Sequence, residues 1–113
     1  MLIHQGVWSA AATPAGYDFT PMLDPVAPIV TGADLALCHL EVTLAEPGDR
    51  PSGYPRFRAP AALATDLKQA GFDGCSVASN HALDYGEQGV VATLTAMDEA
   101  LLEPGVLGVT ESA

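Results

Sequence analysis

The chain has 113 residues, enough for one domain of ordinary size and too short for two. Hydrophobic residues make up 49% and charged residues 16%, which supplies a core and excludes a disordered polar chain. Four Lys and Arg against fourteen Asp and Glu leave a net charge of -10, a surface that repels a phosphate backbone and argues against nucleic acid as a partner.

No Lys or Arg precedes Arg50, and His4, Gln5, Ser9, Thr13 and Pro14 interrupt the opening residues. That stretch lacks the basic start and clean apolar run of a signal peptide, and no window approaches the roughly 18 apolar residues of a membrane span. Met1-Leu2-Ile3 reads as the tail of a strand that ends at His4 and Gly6. Thr20-Pro21 and Asp24-Pro25 each set a capping residue before a proline, as a helical first turn requires, and Gly32 stops that short helix near Thr31. Residues 34–38 open on Asp34 and continue as consecutive apolar side chains, the pattern of a parallel strand covered on both faces, with His39-Leu40-Glu41 at its C-terminal end.

Residues 45–59 hold Pro47, Gly48, Pro51, Gly53 and Pro55 without periodicity and read as a long surface loop. Pro60 opens a second helix that runs through Ala70, with Leu63, Leu67 and Ala70 on one face and Gly71 as its stop. Residues 74–78 form the next strand, which ends at Ser79-Asn80-His81. After Asp84-Tyr85-Gly86 comes the clearest helix. Its apolar stripe is Val90, Val91, Leu94, Met97 and Leu101, and its polar side is Thr93, Thr95, Asp98 and Glu99. Pro104-Gly105 ends it, and residues 106–109 begin a fourth strand.

Strands alternating with helices imply right-handed crossovers and a mostly parallel sheet, an α/β fold. All strand ends then point one way, which gathers His4, the 39–41 segment and Asn80-His81 along the edge where open α/β sheets keep their ligand crevice. Glu41 leaves an apolar run abruptly and can ligate a hard or borderline cation, or stand as a solvated loop acid. Asn80 can complete a metal shell with its amide oxygen, and the His81 imidazole can give or take a proton; a turn Asn beside a packed His is the plainer alternative. Asp84 can orient His81, cap the following helix, or do both. His4 is a site residue or a satisfied core histidine, and His39, on the same side of its strand as Glu41, ranks behind it.

Arg50, Arg56 and Arg58 put three of the four basic residues into the 45–59 loop, around Tyr54 and Phe57. There they either present guanidinium groups to a phosphate or carboxylate substrate or keep the loop solvated. Cys38 and Cys75 hold comparable places in two strands. One disulfide would fit, although buried free thiols are the more frequent outcome, and both alternatives stay open.

The stretch Ala33-Asp34-Leu35-Ala36-Leu37-Cys38-His39-Leu40-Glu41, then Ala70-Gly71-Phe72-Asp73, then Ser76-Val77-Ala78-Ser79-Asn80-His81-Ala82-Leu83-Asp84-Tyr85-Gly86 resembles the CapA family of capsule and poly-gamma-glutamate synthesis proteins. The likeness runs from residue 1 to about residue 102 and is most specific in Asn-His-x-x-Asp-x-Gly leading into a Gly-x-x-x-Thr-Leu helix. It implies a calcineurin-like metallophosphatase sandwich with a two-metal centre at the strand ends. By that resemblance Glu41 and Asn80 contact divalent metal (Mn, Zn, Fe or Mg), His81 protonates a leaving oxygen and Asp84 supports His81. His4, His39, Arg56 and Arg58 are then the candidates for substrate contact.

Three departures from the family pattern stand out. Met1 occupies the place after the family's opening Gly-Asp, relatives' Asn-Leu-Glu appears as His39-Leu40-Glu41, and the later His-rich metal segment has no counterpart. The chain is therefore expected to be the N-terminal half of a CapA-type domain, either a truncated reading frame or an excised piece. Alone it is expected to bind metal weakly and to hydrolyse nothing efficiently. The resemblance implies work on an anionic cell-envelope polymer or with its synthesis machinery, and an envelope or extracellular location for the full-length protein. The competing reading is a non-enzymatic polymer-binding or interaction module with a vestigial site. Half a sandwich leaves a sheet face uncovered, so self-association is expected. A flavodoxin-like phosphate switch shares the alternation but needs a late lysine, and Lys68, the single one, lies on a helix.

Overall fold

The structure, a computed structural model, describes residues 1–104. Its first elements have no apolar period to announce them. A six-residue helix, α1 (Gln5–Ala10), leads into a hairpin of β1 (Ala12–Thr13) and β2 (Gly16–Tyr17), paired Ala12 to Tyr17 and Thr13 to Gly16. The expected single helix over residues 20–31 is instead two, α2 (Thr20–Leu23) and α3 (Ala27–Thr31), because Pro21 and Pro28 each open a first turn and Pro25 interrupts the chain between them. A proline has no N–H with which to continue the preceding turn.

β3 (Leu37–His39) is parallel but not covered on both faces, which corrects the reading of an interior strand. Leu35 and Leu37 are 66% and 65% exposed, while Ala36 and Leu40 point to the core. Consecutive apolar residues concealed an ordinary alternation, one face packed and one open. Met1 to Ile3 is not a strand either, although it lies along the end of β3: the Met1 amino group donates to the His39 carbonyl at 2.7 Å, and Glu41 N–H donates to the Met1 carbonyl at 3.0 Å.

The 45–59 loop also needs correction at its end. β4 (Thr43–Leu44) pairs in parallel with β5 (Arg58–Ala59), and Phe57 and Ala59 are 1% and 0% exposed. Two residues are too few to show a period, so nothing local announces this strand. α4 (Ala62–Gln69) does bury the expected face, Leu63 and Leu67, with Ala70 just beyond it. Gly71 ends it at φ 109°, where a Cβ would stand 2.6 Å from Thr31 Cγ2. Gly71→Ala is therefore expected to destabilise the chain by about 1–3 kcal/mol, read as a lower urea midpoint at unchanged slope.

β6 (Gly74–Ser76) lies between β3 and a last strand, β7 (Glu103–Pro104), all parallel, with α5 (Gly86–Glu99) crossing between β6 and β7. The expected strand at residues 106–109 lies outside the described residues. On α5 the buried face is rotated from the expected stripe. Val90 and Met97 are buried, but so is Thr93, assigned to the polar side, while Leu101 lies past the helix end and is 75% exposed. Thr93 tolerates burial because its hydroxyl donates to the Gly89 carbonyl at 2.7 Å and accepts Leu44 N–H at 2.9 Å.

Cys38 and Cys75 are bonded to each other, the less frequent of the two alternatives the sequence leaves open. Parallel register sets them directly opposite on β3 and β6, and register is not written in either strand alone. The result is a mixed α/β arrangement with two short parallel sheets and a core of Phe19, Leu40, Leu44, Phe57, Leu63, Leu67 and Met97.

One carboxylate inside this packing carries a pH signature. Asp66 accepts Phe19 N–H at 2.7 Å, yet partial burial raises its pKa, with the Asp18 charge adding to the rise and the Phe19 bond opposing it. Asp18 is lowered by its hydrogen bonds to the Thr20 side chain and backbone. Asp66 thus favours folding below the ordinary carboxylate range and loses that contribution as pH rises through its raised value. Asp18 acts in the opposite sense, contributing at neutral pH and losing its share in acid. Asp66→Asn keeps an acceptor for Phe19 and removes the charge, so it is expected to be more favourable to stability at pH 7 than at pH 3. Urea unfolding at both pH values checks this, and an equal effect at the two would contradict it.

Candidate functional site

β3 and β6 run parallel and end together, so the chain leaves both strands on the same edge of the sheet. One bond extends the ladder, Leu40 N–H to the Ser76 carbonyl at 2.8 Å. Beyond it, Ser79 Oγ donates to the Glu41 carbonyl at 2.7 Å and accepts His81 N–H at 3.1 Å. Ser79 therefore ties the turn that carries exposed Asn80 and half-buried His81 to the backbone of half-buried Glu41.

From Ser79 to Gly86 the backbone makes successive short turns, with Ala82, Asp84 and Gly86 N–H groups bonding the carbonyls three residues earlier. Those turns bring His81 Nδ1 and Asp84 Oδ2 to 2.8 Å, with both side chains mostly buried, at 19% and 13% exposure. Asp84 Oδ2 also accepts Phe57 N–H at 2.7 Å. A carboxylate oxygen already accepting a backbone proton favours a donor on the imidazole, so His81 bonds through Nδ1–H and Nε2 is the nitrogen left for chemistry.

Phe57 assembles the rest. Its ring meets His81 edge-to-face at a centroid distance of 4.7 Å and His4 in the same way at 4.9 Å. Arg56 Nε donates to the Asp84 carbonyl at 2.9 Å, and the Arg56 and Arg58 guanidinium carbons stand 4.3 and 4.2 Å from the Tyr85 ring centroid. Arg58 also donates to the Arg50 carbonyl at 2.9 Å and pairs with Asp49 at 3.5 Å. Beside Arg58 and Tyr85 opens a cleft of about 180 Å³ bordered by Glu46, Asp49 and Gln88.

His4, Arg56 and Arg58 thus join the His81–Asp84 pair. His39 stands apart, its Nδ1 2.8 Å from Ser76 Oγ on the open face that also carries Leu37. Ser79, Phe57 and Tyr85 hold the group together without having been candidates. Ser79 lay next to Asn80 in the turn, whereas Phe57 and Tyr85 meet their partners only through the fold.

The metal-donor candidates read from the sequence are the Glu41 carboxylate and the Asn80 amide oxygen, hard oxygens of a kind that suit Mg, Mn or Zn, and Ser79 joins the backbones that carry them. Four or more ligands are usual for such ions, so these two amount to part of a shell. Among the described residues, no three His, Cys, Asp or Glu side chains form a metal-holding group. A family model described as bacterial capsule synthesis protein PGA_cap matches residues 1–112. No curated protein matches the chain.

Proposed function

The chain belongs to the bacterial capsule synthesis protein family, and from that premise we propose that it acts on an anionic cell-envelope polymer or its precursors through a metallophosphoesterase-like crevice. The observation that carries this reading is the 2.8 Å His81–Asp84 pair on the turn that Ser79 bonds to Glu41. Glu41 and Asn80 would contribute oxygens to a divalent ion, which when bound would polarise a phosphoryl oxygen and lower the pKa of water. His81 acts in its doubly protonated form: Nδ1–H stays bonded to Asp84 and the proton on Nε2 passes to the leaving oxygen, which leaves the neutral Nδ1–H imidazole. Asp84, itself held by Phe57 N–H, keeps the imidazole in the tautomer and orientation that leave Nε2 available. Arg56, Arg58 and His4 place positive or protonatable groups beside this pair, which in so acidic a chain favours an anionic substrate locally.

Family membership supports association with the cell envelope. No helix among the described residues is long and apolar enough to cross a membrane.

Titration of Mn(II) into the chain by calorimetry tests the metal assignment. Weak binding is expected, reduced about tenfold or more in Glu41→Ala and in Asn80→Ala, and retained in His81→Ala. Equal affinity in all four proteins would remove Glu41 and Asn80 from the metal site.

A further inference from the structure

Cys38 and Cys75 face each other at the middle of the β3–β6 ladder, between the Leu37–Gly74 and His39–Ser76 pairs. They are bonded, with Cα atoms 4.3 Å apart and a sequence separation of 37. Each strand of this ladder is only three residues long, so backbone pairing by itself holds the two weakly. Immediately beyond lie the two segments of the candidate site, joined by the Leu40–Ser76 and Ser79–Glu41 hydrogen bonds at 2.8 and 2.7 Å. Cys75 is fully buried and Cys38 half-buried, so a small reductant has one sulfur to reach.

We propose that the Cys38–Cys75 bond is a redox-controlled clamp that keeps Glu41 and the Asn80–His81 turn at one crevice, closed in an oxidising compartment and opened by dithiols. The regulation rests on the reading of that crevice as the functional site. Opening balances as an ordinary exchange. A thiolate of dithiothreitol attacks the Cys38 sulfur and the S–S bond breaks. Two electrons and two protons pass to the protein, leaving Cys38 and Cys75 as thiols while the reductant closes to its cyclic disulfide. In the reduced chain, β3 can part from β6 locally without a covalent link to hold them together. A bond of this kind persists outside the reducing cytosol, in keeping with association with the cell envelope.

Two measurements on the whole chain test the clamp. Protein equilibrated with oxidised glutathione and then denatured is expected to show no titratable thiol before dithiothreitol and both cysteines afterwards. Two thiols before reduction overturn the proposal. Amide hydrogen exchange then compares the oxidised chain, the dithiothreitol-reduced chain and Cys38→Ser/Cys75→Ser. Amides of residues 37–42 and 74–81 are expected to exchange about tenfold faster or more in both reduced forms, with those of α4 and α5 changed by less than about threefold. Unchanged exchange in the two segments overturns the clamp. Equal acceleration throughout the chain does so too, since it marks a staple for the whole fold. The reduced wild type decides the matter if the double variant does not fold. Neither readout involves metal or hydrolysis, so a failed Mn(II) titration and a failed clamp are told apart.

Discussion

Phe57→Ala is expected to destabilise the chain by about 3–5 kcal/mol, a large share of the roughly 5–15 kcal/mol that holds a domain of this size. The residue is 1% exposed and its ring contacts the imidazoles of both His4 and His81. Deleting it removes apolar burial and leaves a cavity that both histidines border. The backbone bonds of Phe57, its N–H to Asp84 and its carbonyl from Thr43 Oγ1 at 2.7 Å, do not depend on the ring and resist collapse of the site around the hole. Such a site refills poorly, which is what puts the cost at the upper end for a core truncation. Phe57→Leu keeps most of the volume and is expected to cost less than about 1.5 kcal/mol. Urea midpoints of the two variants and wild type measure both values. A Phe57→Ala chain within about 1 kcal/mol of wild type would mean that the ring is not packed as described.

His81→Ala is expected to lower any metal-dependent hydrolysis of a nitrophenyl phosphodiester by about 10²–10⁴-fold, the usual scale for loss of a positioned proton donor. Asp84→Asn probes the same chemistry through its partner. The amide oxygen can still accept from Phe57 N–H, but the carboxylate charge that favours the Nδ1–H tautomer is gone, so a loss of at least about 10²-fold is expected with little change in stability. Asp84→Ala differs in kind. It leaves the Phe57 N–H without its partner and is expected to cost about 1–3 kcal/mol of stability in addition. Undiminished hydrolysis in His81→Ala would take the proton-delivery role away from this histidine. Equal stability of Asp84→Asn and Asp84→Ala would show that the Phe57 bond contributes nothing.

What could be read locally in this chain was whatever its chemistry encodes at short range. The stop of α4 at Gly71 and the His81-to-Asp84 spacing are of this kind, because a helical stripe and a tight turn join residues only a few positions apart. The misread face of α5 shows where local patterning fails. Thr93 counts as polar by composition, yet the Leu44 N–H that makes its burial tolerable comes from β4, far away in sequence. Leu35 and Leu37 fail in the other direction, since an apolar run does not say whether a second layer covers both of its faces.

By itself the sequence determined an α/β chain with parallel strands, the turn that joins His81 to Asp84, and the family to which the chain belongs. Only the tertiary structure decided that Phe57 contacts two histidines, that Arg56 and Arg58 both pack on Tyr85, that His39 bonds to Ser76 instead of joining them, and that Cys38 finds Cys75. Helical and turn spacing act over a few covalent bonds and are specified by neighbouring side chains. Strand register and the docking of a loop on the core are set by packing between segments far apart in the chain, which no local pattern records.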